Sequence, residues 1–245
     1  QNRMQVAELR VASTAWRNGA GDVLPESFHE LAEFAMLATP ADPFDPMEKA
    51  IRTFVRNHLR GTEHLHDAWA PEQAYELSPD ILAMTHVFPA QVAQRHLLAC
   101  KGAPEAVADL CHFDADGRAG LQREVQGMAE RGLRVLAVAR GEWRGAHWPA
   151  SQHDFTFHLL GLVGLADPPR PEVPGAVAAC RRAGIRVIMM TGDHPATAQA
   201  HRNRERVRAR LRGQAVRHLV DRRIRYRVQG SVVQNVKLQV RFGHA

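Results

Sequence analysis

The chain has 245 residues, 45% hydrophobic and 24% charged, enough for one or two domains with real cores and ordinary for a globular protein. It contains no run of the roughly 20 apolar residues a membrane helix needs, and its three scattered cysteines, Cys100, Cys111 and Cys180, form no CxxC pair, which argues against a disulfide scaffold or a zinc site. The net charge of +6 is unevenly placed, since residues 201–245 hold 13 of the 32 basic but 2 of the 26 acidic side chains, so a mildly acidic body carries a basic tail.

In chain order, "QNRMQVAELRVAS" alternates Val6, Leu9 and Val11 with polar residues and reads as a strand. "PESFHELAEFAMLAT" spaces Phe28, Leu31, Phe34, Ala35 and Leu37 as a helix behind Pro25. "DPMEKAIRTFVRNHL" is a second amphipathic helix with Asp45 as N-cap and Pro46 in its first turn. Residues 59–72 are polar and loop-like. Three short strands follow in "AYELS", "AMTHVF" and "RHLLACKG". "APEAVADLC" and "AGLQREVQGMAERG" read as helices, and "LRVLAVAR" as a strand. Mixed elements without a βαβ rhythm predict an α+β domain over an antiparallel sheet. From about residue 155 the order becomes strand ("FTFHLLGLVGLAD"), helix ("EVPGAVAACRRAG"), strand ("IRVIMM"), helix ("TGDHPATAQA"). That is the grammar of a parallel sheet, whose strands are apolar on both faces, and it places a domain boundary at 155–165.

Three stretches carry chemistry. Thr191, Gly192 and Asp193 follow an apolar strand and precede a helix. There a hydroxyl, a bare backbone and a helix N-terminus suit a phosphate, while an N-cap is the structural alternative. In "CKGAPEAV", Lys101 ends a strand, Gly102 turns the chain and Pro104-Glu105 opens a helix. A half-buried lysine there suits a phosphate or an adenine edge, against the alternative of a solvated strand-end lysine. In "DPPRPEVPGAV", prolines after Asp167 stiffen a connection, and Arg170 can pair with Asp167 or reach a phosphate, or the segment is a structural turn.

The order "QNRM", "DPMEKAI", "AMTHVFP", "KGAPEAV", "GLRVLAVA", "GLADPPR", "AGIRVIMMTGDHPATA" resembles the cytoplasmic portion of P-type cation-transporting ATPases, in particular the calcium-pump-like branch. The resemblance spans residues 1–200. It implies a nucleotide-binding domain at 1–155 and part of a haloacid-dehalogenase-like, Rossmann-type phosphorylation domain at 156–200. It further implies a start just after the DKTGTLT motif of the phosphorylated aspartate, so that the chain binds ATP without turning it over.

By the same resemblance Glu48 meets the adenine amino group, Lys101 lies in the adenine pocket and Arg134 near the phosphates. Thr191, Gly192 and Asp193 stand at the γ-phosphate, with Asp167 and Arg170 in the hinge. ATP and Mg2+ are the implied ligands, the magnesium carboxylates lying largely outside the chain. The transmembrane and actuator domains of an intact pump are the implied partners, with this segment on the cytoplasmic face and not inserted in the bilayer. The sequence departs from the pattern at Leu77 and Leu82, where the family has a stacking phenylalanine and a lysine. Tyr75 is the nearby aromatic substitute.

The family also continues past residue 200 with an alanine-rich helix, where this chain has "HRNRERVRARLRG". Codons for those residues, read one base later, permit Ile-Ala-Thr-Ala-Asn-Ala-Phe-Gly-Leu-Asp, so residues 201–245 are expected to be a frameshift product or disordered. Two other classes compete. One is a nucleic-acid-binding protein using the arginine-rich tail. The other is a haloacid-dehalogenase-like phosphatase, which shares the threonine after an apolar strand.

Overall fold

A computed structural model describes residues 4–19, 21–89, 95–145, 147–167, 172–185, 187–188 and 239–240. The chain divides into two units, one of residues 1–129 and 133–167, the other of 130–132 and 168–245. Among the described residues no helix is long and apolar enough to cross a membrane.

The first unit is built on an antiparallel sheet. Its strands are β1 (Gln5–Val11), β2 (Thr14–Arg17), β3 (Gln73–Tyr75), β4 (Ala83–Phe88), β5 (His96–Gly102), β6 (Arg134–Trp143) and β7 (Phe157–Ala166). They lie in the order β2-β1-β7-β6-β5-β4-β3. Side chains alternate across the sheet, and each face has its own core. One face packs Leu9, Phe88, Ala99, Val138, Val163 and Leu165 against α1 (His29–Leu37) and α2 (Pro46–His58). The other packs Leu98, Cys100, Ala137, Ala139 and Leu162 with residues of α3 (Pro104–Leu110) and α4 (Ala115–Glu130). The predicted α+β antiparallel architecture is therefore present.

The segment expected to open a parallel sheet does not. β7 lies between β1 and β6 and runs antiparallel to both, and the first unit runs through Asp167. The physical reason is burial on two sides. With helices over both faces, a central antiparallel strand loses its polar alternation and reads as a continuous apolar run, as a parallel strand does. A bulge between Val138 and Ala139 interrupts its pairing with β6.

In the second unit the described elements are α5 (Val173–Arg182), β8 (Val187–Ile188) and β9 (Gln239–Val240). The pairing described there is antiparallel, Val187 with Val240 and Ile188 with Gln239. Arg170, Thr191, Gly192 and Asp193 lie outside the described residues, as does the tail apart from 239–240.

Local chemistry explains how α2 starts. The Asp45 carboxylate accepts from the Met47 amide at 2.7 Å and the Glu48 amide at 3.4 Å, while Pro46 at the first turn forfeits no hydrogen bond. Asp45→Ala is expected to lower unfolding stability by about 1 kcal/mol. Urea denaturation checks this, and an unchanged midpoint would show that the cap is not holding the helix.

Candidate nucleotide site

The end of the sheet where β5 stops and β6 starts gathers the candidate residues. Lys101 is the penultimate residue of β5 and pairs with Met84 on one side and Val138 on the other. Alternation turns its side chain toward α1 and α2. It is not half-buried, as a strand-end lysine would be, but only 4% exposed. Its ammonium donates to the Ala38 carbonyl at 2.6 Å, to Glu48 Oε1 at 2.9 Å and to Met84 Sδ at 2.9 Å.

Burial pushes the Lys101 ammonium below the usual lysine range, opposed by the attraction of Glu48 and Asp45. Gly102 continues the strand instead of turning it. A Cβ there would lie 2.4 Å from the Leu82 carbonyl oxygen, so the glycine is what lets β4 approach and the Ala103 amide donate to Leu82 at 2.8 Å.

Glu48 sits in the first turn of α2, positioned by the Asp45 cap. Its inner oxygen is held by Lys101, and the side chain remains 18% exposed. The pair is therefore asymmetric, with a sealed cation and a carboxylate that still reaches water.

Around them lies an arrangement that one-dimensional reading missed. The last carbonyls of a helix have no intrahelical partners and favour cations. At the end of α1, Leu37 O accepts from His86 Nδ1 at 2.8 Å and Ala38 O from Lys101. Thr39 O and Pro40 O accept from Arg52 at 3.5 and 3.3 Å. Nothing local announces this, because each donor lies 12 or more residues from its acceptor.

Arg134 opens β6 opposite Leu165 and shares the Leu136–Val138 face, hence the face of Lys101. It lies four residues from Val138 along the strand, about 13 Å at the usual rise. Asp167 directly follows β7 at this same end. Glu48 and Lys101 are thus in contact, with Arg134 farther along one face.

Leu77, after β3, is 56% exposed. Tyr75 does not serve as its aromatic substitute: its ring packs edge-on against Phe155 in the other core, and its hydroxyl donates to Pro149 O at 2.7 Å. Open hollows of about 530 and 480 Å3 lie elsewhere, one beside Arg140, Trp143 and His158, the other beside Asn18, Asp22 and His58.

Comparison with known proteins places this sequence in a family. The description "P-type ATPase, cytoplasmic domain N" matches residues 44–172. The sequence is 34% identical over 166 residues, 64% of the chain, to the sodium/potassium exporting P-type ATPase cta3 of Schizosaccharomyces pombe. It is 30% identical over 244 residues, 82% of the chain, to the sodium/potassium-transporting ATPase subunit alpha-4 of Rattus norvegicus. It is 30% identical over 167 residues, 64% of the chain, to a calcium-transporting ATPase of Bacillus subtilis.

The chain belongs to the P-type ATPase family, and its residues 44–172 match the family's cytoplasmic domain N. It spans 16%, 24% and 19% of the lengths of those three relatives. This membership does not support the nucleic-acid or phosphatase alternatives.

His86 makes the cluster sensitive to acid. Burial holds the imidazole below its usual range, against the raising effect of its bond to Leu37 O. Its stabilising contribution is therefore present above the unfolded value and lost as pH falls through the lower folded value. His86→Asn keeps a donor near Nδ1 without a titrating ring. The stability difference between wild type and this variant is expected to shift against wild type as pH falls below about 6.5. A difference that is flat from pH 7 to 5 in chemical denaturation would contradict the burial argument.

Proposed function

We propose that the chain is the ATP-binding part of a cation-transporting pump that works through an aspartyl phosphate, lying on the cytoplasmic face of the membrane beside transmembrane and actuator domains. The observation that supports this best is the Lys101–Glu48 pair at 2.9 Å, inside the segment that matches domain N. In this reading Glu48 accepts from the exocyclic amine of adenine. Lys101, with its donors engaged, fixes that carboxylate in place and keeps the wall of the site positive. Arg134, with its fork of donors, takes the phosphate end.

Leu77 contributes an aliphatic edge near the base, and Asp167 with Arg170 forms a hinge through which the triphosphate is delivered. Thr191, Gly192 and Asp193 take the γ-phosphoryl group, in a second domain of haloacid-dehalogenase type built from residues after the hinge. Charge neutralisation and in-line placement are what such a transfer requires of the protein. Among the described residues no three His, Cys, Asp or Glu side chains converge on a metal position. In this reading the chain by itself binds nucleotide without turning it over.

Calorimetric titration of the 245-residue chain with ATP is expected to give millimolar affinity, about −4 kcal/mol. Lys101→Ala should cost about 1.5 to 3 kcal/mol of that binding and, by stranding Glu48, about 3 kcal/mol of fold stability. Glu48→Gln preserves shape while removing the charge that faces the buried Lys101 ammonium, so it should weaken ATP and also lower the thermal midpoint. Unchanged ATP affinity in both variants would rule out the site.

A further inference from the structure

Residues 40–46 read Pro-Ala-Asp-Pro-Phe-Asp-Pro, one aromatic among three prolines. Phe44 is 93% exposed, while Phe28, Phe34, Phe54, Phe88, Phe155 and Phe157 are buried. Its support is stiff. Pro43 and Pro46 have fixed φ, and Asp45 between them is held at φ −68° and ψ 135° with its carboxylate engaged on the α2 amides. Phe44 stands just before the N-cap, where an apolar side chain normally packs on the residue five positions later. Here that residue is Lys49, whose ammonium sits 5.6 Å from the ring centroid, and the ring stays open to solvent.

Position adds to this. Asp45, the next residue, exerts its charge on Lys101, and Glu48 lies one helical turn on. The site offers no other described aromatic from the β3 side, since Tyr75 faces the opposite core and Leu77 is aliphatic.

We propose that Phe44 is the surface on which the purine base stacks while Glu48 receives its amine. This deepens the nucleotide-binding reading and rests on it. A phenyl ring in water gains free energy when covered by a flat base, and a proline-braced support means that little mobility is lost on binding.

The test is ATP titration of the full chain as wild type, Phe44→Ala, Phe44→Trp and Glu48→Gln. Phe44→Ala is expected to weaken ATP about tenfold with no change in thermal midpoint, because the ring is not part of the core. Phe44→Trp should bind at least as tightly as wild type, and the new indole fluorescence should be quenched by ATP and not by tripolyphosphate, which has no base. Wild-type affinity in Phe44→Ala alongside weakened binding in Glu48→Gln would overturn the stacking role and leave the nucleotide reading standing. No ATP binding by the wild-type chain at millimolar concentration would remove both.

Discussion

The account depends on one buried cation. An ammonium taken out of water is tolerated only where charge and hydrogen bonds surround it, and Lys101 has three acceptors at 2.6 to 2.9 Å. Each comes from a different part of the chain: a helix-end carbonyl, a carboxylate in the first turn of α2 and a thioether on the neighbouring strand. The single charge therefore sets the spacing of α1, α2, β4 and β5 at once. It also explains why Glu48, the partner that still reaches solvent, has a defined direction in which to receive a ligand.

The end of α1 shows how stability and function share the same atoms. The carbonyls that close α1 and lead out of it need donors whatever the protein does: Ala38 and Thr39 serve those of Phe34, Ala35 and Met36 locally, while His86, Lys101 and Arg52 serve those of Leu37, Ala38 and Pro40. Meeting that structural need places positive charge along the α1–α2 side of the sheet end. A mutation in this group acts on the fold and on the candidate site together, which is why shape-preserving changes such as Glu48→Gln are more informative than truncations.

Much of the first unit was legible in the sequence, because its elements are local. Asp45-Pro46 announces α2, "AMTHVF" coincides with β4, and Pro104 marks α3. β7 was misassigned since burial on both faces erases the alternation that distinguishes antiparallel strands. Lys101 was found from its motif, but its depth was not, because burial follows from α1 and α2 folding over it. The roles of His86 and Arg52 could not be read at all: a hydrogen bond from His86 to Leu37 spans 49 residues and leaves no periodicity. Tyr75 failed as a substitute for the missing aromatic because strand register, not sequence proximity to Leu77, decides which face a side chain takes.

The most direct test is to titrate ATP into isotopically labelled chain and follow the backbone amide resonances. The account requires the perturbed amides to cluster in residues 44–48, 84–86 and 99–102, with a second group near Arg134. Perturbations confined to the hollow beside Arg140 and His158, or to the loop beside Asp22 and His58, would contradict it.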